Sequence, residues 1–111
     1  MRQEHNKLVR NGIPEIIRQA GNQCEVETMS EAELRQALRE KLLEEAQEAA
    51  AASPENLVSE LADLQEVIDT LLTVYGIERE AFVKEQRRKR MERGGFEQGI
   101  RLLWTESSEK I

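Results

Sequence analysis

The sequence predicts an all-α protein built as an antiparallel bundle of helices. Three long segments between about residues 31 and 93 read as helices, and in the first two apolar residues recur at helical spacing. The connections between these segments are short, so successive helices should lie antiparallel. Residue types that begin or end helices bound the segments: Ser30, Ser53-Pro54, Gly76 and Gly94-Gly95.

The first predicted elements are a short helix and an extended stretch. Pro14 suits the first turn of a helix, so IPEIIRQAG should form one that ends near its glycine. Weak alternation in QCEVETM predicts a short extended segment. Ser30 followed by Glu33 has the pattern of a capping box. A long helix should therefore run from about residue 31 to residue 52.

Two more long helices are predicted after Ser53. Ser53-Pro54 has the pattern of an N-cap followed by a first-turn proline, and the helix it opens should reach about Tyr75. A third long helix should cover about residues 78 to 93. The segment FEQGIRLLW is apolar and partly β-branched, which predicts a short strand or an extended arm. NKLVR near the N-terminus is its candidate pairing partner, so a small terminal β element can accompany the bundle.

Length and composition predict one domain over residues 1–111 with a modest core. The chain is 39% hydrophobic and 34% charged, which is typical of a soluble protein and argues against long disorder. Only four residues are aromatic, so aliphatic side chains must form most of the core. Small cores often gain stability from subunit association. We therefore expect a homo-oligomer.

The charge balance and the single cysteine exclude several classes of protein. A net charge of −6 disfavours nucleic acid or an anionic membrane as the main partner. Cys24 has no second cysteine for an intrachain disulfide and suits a reducing compartment. No apolar run approaches the roughly 20 residues of a transmembrane helix, and the N-terminus lacks the apolar stretch of a signal peptide. A cytoplasmic location is the expectation.

Helical geometry places acids inside apolar faces on two of the long helices. Within KLLEEAQEA, Glu45 falls near the middle of the apolar stripe and Glu48 at its margin. In the following helix, Glu60 falls inside the apolar face and Asp63 at its edge. Each pair has i, i+3 spacing, so each shares one face of its helix. If the two helices are antiparallel, the two pairs can face each other.

Four converging carboxylates predict a site for a hard cation. A carboxylate in an apolar stripe is costly unless it is paired or binds a cation. Ordinary surface acids are the alternative, but Glu45 and Glu60 interrupt the apolar pattern, which favours the metal site. Mg²⁺ is the predicted ion and Mn²⁺ the alternative. A di-iron site needs histidine beside the acids, and His5, the only histidine, lies outside the predicted helices.

A basic segment, KEQRRKRMERGGF, covers residues 84 to 96. Residues 84 to 93 hold six basic and two acidic side chains in an otherwise acidic protein. A solvated helix face, or a helix C-terminus that favours cations, is one interpretation. The other is a surface that binds the phosphates of a polyanion that also contacts the metal.

Three blocks of the sequence resemble the MazG-like all-α nucleoside triphosphate pyrophosphatases. KLLEEAQEA followed by SELADLQEVID resembles the ExxE…ExxD pattern of that superfamily, which includes phosphoribosyl-ATP pyrophosphatase. NKLVRNGIPEII and RMERGGFEQGIRLL look closest to its small house-cleaning members. Their usual opening resembles KLVRDKIPEII, from which Asn11 and Gly12 depart. The resemblance spans nearly the whole chain.

The resemblance implies a Mg²⁺-dependent hydrolase that acts on a phosphoric anhydride. A nucleoside triphosphate and water would give the monophosphate and pyrophosphate. The ExxE…ExxD pattern implies that Glu45, Glu48, Glu60 and Asp63 bind the metal. Glu45 or Glu48 would act as general base on the attacking water. The implied phosphate ligands are Lys89, Arg90 and Arg93, together with Lys7 and Arg10 from the opening block.

Two alternatives remain open at this point. The chain can be a phosphoribosyl-ATP pyrophosphatase, which performs the same chemistry on a dedicated substrate. It can also be a non-enzymatic helical module for oligomerisation or regulation, in which the acids are only solvated. The second alternative predicts no effect of Mg²⁺ and no nucleotide turnover.

Overall fold

A computed structural model describes residues 1–108 and confirms the all-α fold class. These residues contain no strand and form four helices: α1 (Ile13–Gln19), α2 (Glu31–Ala51), α3 (Leu57–Val74) and α4 (Arg79–Arg93). The backbone divides into two compact units, Met1–Glu78 and a second unit that begins at Arg79. The first unit holds α1 to α3, and the second holds α4. The interpretation of the whole chain as one domain stays a prediction.

The predicted capping box begins α2. The backbone N–H of Glu33 donates to Ser30 Oγ at 3.2 Å, and the backbone N–H of Ser30 donates to Glu33 Oε1 at 2.9 Å. These two bonds satisfy donors that have no partner inside the helix. They fix the start of α2 and therefore the rotation of its faces further along.

We expect Ser30→Ala to lower the free energy of unfolding by about 1 kcal/mol, because the side-chain acceptor at the N-cap is lost. Urea unfolding at fixed protein concentration, followed by circular dichroism, measures the change. Ser30→Thr is the matched control because threonine keeps the acceptor oxygen. Equal stability of the alanine variant and the wild type would contradict the role of this cap.

Packing of α2 against α3 forms the core of the first unit. The two helices are antiparallel, since residues early in α2 contact the end of α3. Four apolar side chains are buried: Leu38 and Ala49 from α2, and Val67 and Leu72 from α3. Among the described residues, Glu45 is the one charged side chain that is equally buried. The core is therefore small, as the composition predicts.

Tyr75, directly after α3, is held by two arginines of α2. The Cζ atoms of Arg35 and Arg39 lie 4.7 Å and 5.2 Å from the centroid of its ring. Such cation–π contacts are each worth about 0.5–1 kcal/mol at exposed sites. Arg39 Nε also donates to the Tyr75 hydroxyl at 3.0 Å. Gly76 follows with φ of +67°, a conformation that suits glycine and ends the helix at its predicted stop. These contacts hold the end of α3 against the first turns of α2.

The start of α3 differs from the sequence prediction. Ser53 does not cap the helix, because Ser53 to Asn56 form a turn in which Asn56 N–H donates to the Ser53 carbonyl at 3.0 Å. The helix begins after this turn, at Leu57. At about 100° per residue, Leu57 and Leu61 lie on the same side of α3 as the buried Val67 and Leu72. Leu57 and Leu61 are nevertheless 38% and 47% exposed, because α2 does not cover this face fully at the start of α3.

The predicted terminal β element is not formed in residues 1–108. Phe96 to Gly99 make a turn, in which Gly99 N–H donates to the Phe96 carbonyl at 3.1 Å. This turn uses the first four residues of FEQGIRLLW and interrupts the alternation that a strand requires. NKLVR is irregular as well. The helix before the turn, α4, ends where Gly94 adopts φ of +82°, as its sequence predicts.

No helix within residues 1–108 combines the length and the apolar character needed to cross a membrane.

Candidate metal centre

Antiparallel packing brings three of the four predicted metal ligands together. Glu45 comes from the middle of α2, and Glu60 and Asp63 come from the first two turns of α3. One carboxylate oxygen from each lies within 4.8 Å of the others. The i, i+3 spacing in α3 places both of its acids on the face that meets α2. Three carboxylates therefore converge between two helices, as the sequence predicts.

The burial of these carboxylates fits a cation. The Glu45 residue is only 7% exposed, and Glu60 and Asp63 are half-buried. Glu45 Oε2 and Glu60 Oε2 are inaccessible to solvent, and no hydrogen-bond donor within residues 1–108 reaches them. Buried carboxylate oxygens without donors are costly. A divalent cation that prefers oxygen ligands would satisfy both.

Burial raises the pKa of Glu45 above its ordinary value. The loss of solvent is the largest cause, and repulsion from Glu48 and Asp63 and a hydrogen bond with Glu48 add to it. Lys41 acts in the opposite direction, since its Nζ lies 3.6 Å from Glu45 Oε1. The balance shows that one cationic neighbour does not offset the burial and the surrounding negative charge.

Glu48 lies outside the group of three. It is exposed, one turn further along α2 than Glu45, and acts on Glu45 through repulsion and a hydrogen bond. A solvent-accessible carboxylate at the edge of a metal site can exchange protons with water, which a buried ligand cannot do as readily. The buried Glu45 and the exposed Glu48 thus agree with the helical geometry, which places Glu45 inside the apolar stripe and Glu48 at its margin.

Two cations border the acidic group. Arg10 Nη2 lies 2.7 Å from Asp63 Oδ1, so the segment before α1 reaches the start of α3. Arg10 was predicted as a phosphate ligand, and in this structure its partner is a carboxylate. Lys41 was not predicted, although its i, i+3 and i, i+4 spacing to Glu44 and Glu45 in the sequence is the signal for these contacts. Each cation offsets part of the charge that the acids concentrate.

Lys7 lies beside the site and does not pair with it. It lines a cavity next to α2 together with Lys41. Within residues 1–108, it forms no ion pair with any of the acids. His5 is exposed and lies outside the acidic group.

The predicted phosphate ligands of the basic segment belong to the second unit. Lys89, Arg90 and Arg93 are exposed on α4. Arg90 Nη2 lies 3.1 Å from Glu97 Oε1, and Arg88 is held by Glu85 and Glu92 of its own helix. Part of this segment is thus paired internally, while the role of Lys89 and Arg93 toward phosphate stays a prediction.

Comparison with known families matches the chain to a family model described as phosphoribosyl-ATP pyrophosphohydrolase. The match covers residues 15–90, which is more than half of the chain and includes all four predicted metal ligands. Comparison with curated proteins gives no match, and neither does comparison with solved structures.

Proposed function

We propose a function from the premise that the chain belongs to the phosphoribosyl-ATP pyrophosphohydrolase family, a MazG-like family of all-α nucleotide pyrophosphohydrolases. The proposed reaction is Mg²⁺-dependent hydrolysis of a nucleoside triphosphate to the monophosphate and pyrophosphate. The proposed role is house-cleaning, which means removal of modified nucleotides. The observation that carries this proposal is the convergence of Glu45, Glu60 and Asp63, with two buried oxygens that lack donors.

The acids have separate tasks in the proposed mechanism. Glu45, Glu60 and Asp63 would hold the cation, which when bound offsets phosphate charge and makes a water molecule more acidic. Glu48 would take the proton of the attacking water, because it is exposed and lies beside the ligand group. Arg10 would hold Asp63 in place through the 2.7 Å contact. Lys41 would limit the repulsion around Glu45.

A panel of nucleoside triphosphates with Mg²⁺ tests the reaction class. Pyrophosphate and orthophosphate are measured separately for each substrate, with modified nucleotides included. Pyrophosphate as the product supports the proposal. Orthophosphate from every substrate would contradict the reaction, and no release of either product would favour the non-enzymatic module.

The basic segment supplies a second part of the proposal, the binding of phosphates by Lys89 and Arg93. We expect Lys89→Ala to weaken binding of a triphosphate about tenfold and to leave binding of the nucleoside unchanged, because the lost contact is to a charged group. Isothermal titration with a non-hydrolysable triphosphate and with the nucleoside measures both. Lys84→Ala, on the same exposed helix, is the matched control. Equal weakening for triphosphate and nucleoside would instead indicate a folding defect.

Phosphoribosyl-ATP is the second candidate substrate. It is favoured by the description of the matching family model, and the metal centre would serve both substrates alike. Adding phosphoribosyl-ATP to the panel separates the two: a kcat/KM far above that of every nucleoside triphosphate would assign the dedicated reaction.

The proposed enzyme is a homodimer or homotetramer in the cytoplasm. Leu43, Val58 and Leu61 lie on α2 and α3 and are 62%, 78% and 47% exposed. Exposed aliphatic residues of this kind on packed helices suit contact with a second copy of the chain. Sedimentation equilibrium of the full chain gives the number of copies, and a monomer at all concentrations would contradict this part of the proposal.

A further inference from the structure

A small cavity lies between the N-terminal segment and α2. Its volume is about 110 Å³. Leu8, Met29 and Ala37, all half-buried, provide apolar walls. The exposed side chains of Asn6, Lys7 and Glu40 add an amide, an ammonium and a carboxylate at its edge. Apolar walls with a few polar groups that can fix orientation are typical of small-molecule sites.

The cavity lies next to the metal centre, and both α2 and the N-terminal segment connect the two. On α2, Lys41 and Glu44 also line the cavity, and Lys41 Nζ lies 3.6 Å from Glu45 Oε1. On the N-terminal segment, Lys7 lines the cavity, and Arg10 three residues later pairs with Asp63. A ligand with its phosphates near the acids can therefore place its other end in this cavity.

The backbone at Asn6 supports a binding role. Asn6 has φ of +47°, the one positive φ at a non-glycine residue within the described chain. Asparagine tolerates this conformation better than most residues, yet it still costs free energy. Strained residues concentrate where ligands bind. No partner within residues 1–108 takes the donors of the Asn6 amide, so they are available to a ligand.

The size and the polar groups of the cavity indicate one edge of a nucleobase. A cavity of about 150 Å³ binds benzene, so about 110 Å³ open to solvent accommodates most of one six-membered ring. The Glu40 carboxylate accepts hydrogen bonds, and one of its oxygens already accepts from Gln36 Nε2 at 3.3 Å. The amide of Asn6 and the ammonium of Lys7 donate. Adenine and cytosine present the complement, an amino donor beside a ring-nitrogen acceptor.

We infer that this cavity is the nucleobase subsite and that it selects adenine and cytosine, the bases whose Watson–Crick edge has an amino group beside a ring-nitrogen acceptor. This inference rests on the proposed function. Adenine and cytosine place their amino group against Glu40 and their ring nitrogen against Asn6 or Lys7. Hypoxanthine and uracil place a carbonyl oxygen against Glu40 instead, so two acceptors face each other and neither is satisfied.

The test compares matched pairs of substrates, CTP with UTP and ATP with ITP. Wild-type kcat/KM is expected to favour the amino base of each pair by at least about tenfold, because the carbonyl base leaves its oxygen and Glu40 without donors. Glu40→Gln is expected to bring both ratios close to one, because a glutamine amide can donate to a carbonyl. Glu66→Gln, an exposed site on α3, is the control and should keep the wild-type ratios. Unchanged ratios in Glu40→Gln would overturn the assignment.

Occupation of the cavity is tested by filling it. Ala37→Leu is expected to lower kcat/KM for all four substrates at least about tenfold by excluding the ring, while pyrophosphate release from a base-free ribose triphosphate stays unchanged. Ala32→Leu, exposed near the start of α2, is the matched control. Wild-type rates in Ala37→Leu would overturn the inference and leave the proposed function intact.

Failure of the proposed function gives a different result. If no triphosphate yields pyrophosphate, CMP and UMP are titrated while the methyl resonance of Met29 is followed. A shift with CMP that exceeds the shift with UMP supports the base subsite without any turnover. No shift with either nucleotide overturns it.

Discussion

Glu45→Gln is expected to lower turnover by at least about 100-fold while helical content stays at the wild-type level. Glutamine keeps the shape of the side chain and removes the anionic ligand at the most buried position of the metal centre. Loss of one group that acts at the reacting centre commonly lowers the reaction rate by about 10²–10⁴-fold. Pyrophosphate release at saturating Mg²⁺ measures the rate, and far-ultraviolet circular dichroism measures the helical content.

Glu66→Gln is the matched control for this variant. It makes the same change of charge at an exposed position of α3, outside the acidic group, and should retain wild-type turnover. Turnover of Glu45→Gln at the wild-type rate would remove Glu45 from the ligand set. A loss shared equally by Glu66→Gln would indicate a general effect of net charge.

Mg²⁺ is expected to raise the melting temperature of the wild type by roughly 10 °C when it is present at 100-fold its dissociation constant. Binding to the folded state alone contributes about 2.7 kcal/mol at that concentration. A stabilisation of this size shifts the melting temperature of a chain of this length by roughly 10 °C. Thermal melts at neutral pH with EDTA or with excess Mg²⁺ measure the shift. We expect Mg²⁺ to raise the melting temperature of Glu45→Gln much less.

The raised pKa of Glu45 makes the folding stability of the metal-free protein depend on pH. Burial and the neighbouring acids raise the folded pKa of Glu45 above its unfolded value. The folded state therefore holds the proton more tightly, and this stabilisation is present below the unfolded pKa. It is lost as the pH rises through the folded pKa. At neutral pH in EDTA, Glu45→Gln should be no less stable than the wild type, because the charge it removes is unfavourable there.

Two results would contradict this coupling between metal and stability. An identical Mg²⁺ shift in the wild type and in Glu45→Gln would place the bound ion elsewhere. The absence of a shift in both, with a non-hydrolysable triphosphate present, would leave the carboxylates without a metal. Glu66→Gln again serves as the control and should show the full shift.

The sequence predicts α2 and its functional face well, because local patterns determine both. The capping box fixes the start of the helix at Glu31, and from there the helical period places Glu45 in the core. A charged residue in an apolar stripe is a strong signal. The burial of Glu45 and the convergence with Glu60 and Asp63 could therefore be anticipated from spacing alone.

The start of α3 and the exposure of its first leucines could not be predicted in the same way. The turn from Ser53 to Asn56 shifts the start of the helix to Leu57. Leu57 and Leu61 lie on the same side of the helix as Val67 and Leu72, yet the first two are exposed and the last two are buried. How far along α3 this face is covered depends on tertiary packing, which is not a local property of the sequence.

Contacts between residues that are far apart in the chain could not be predicted from the sequence either. Arg10 and Asp63 are 53 residues apart, and no spacing rule relates them. The family pattern assigned Arg10 to phosphate, and the ion pair with Asp63 is visible only once the N-terminal segment is placed against α3.

Tyr75, which lies between two arginines, is an intrinsic spectroscopic probe of this protein. Tyr75 is the only tyrosine of the chain and Trp104 the only tryptophan, and they belong to different compact units. Tyrosine absorbance thus follows the separation of α3 from α2, while tryptophan fluorescence follows the segment after α4. Coincident transitions in the two signals are the standard sign of all-or-none unfolding. The wild-type chain can therefore show, without any attached dye, whether its two units melt together or one after the other.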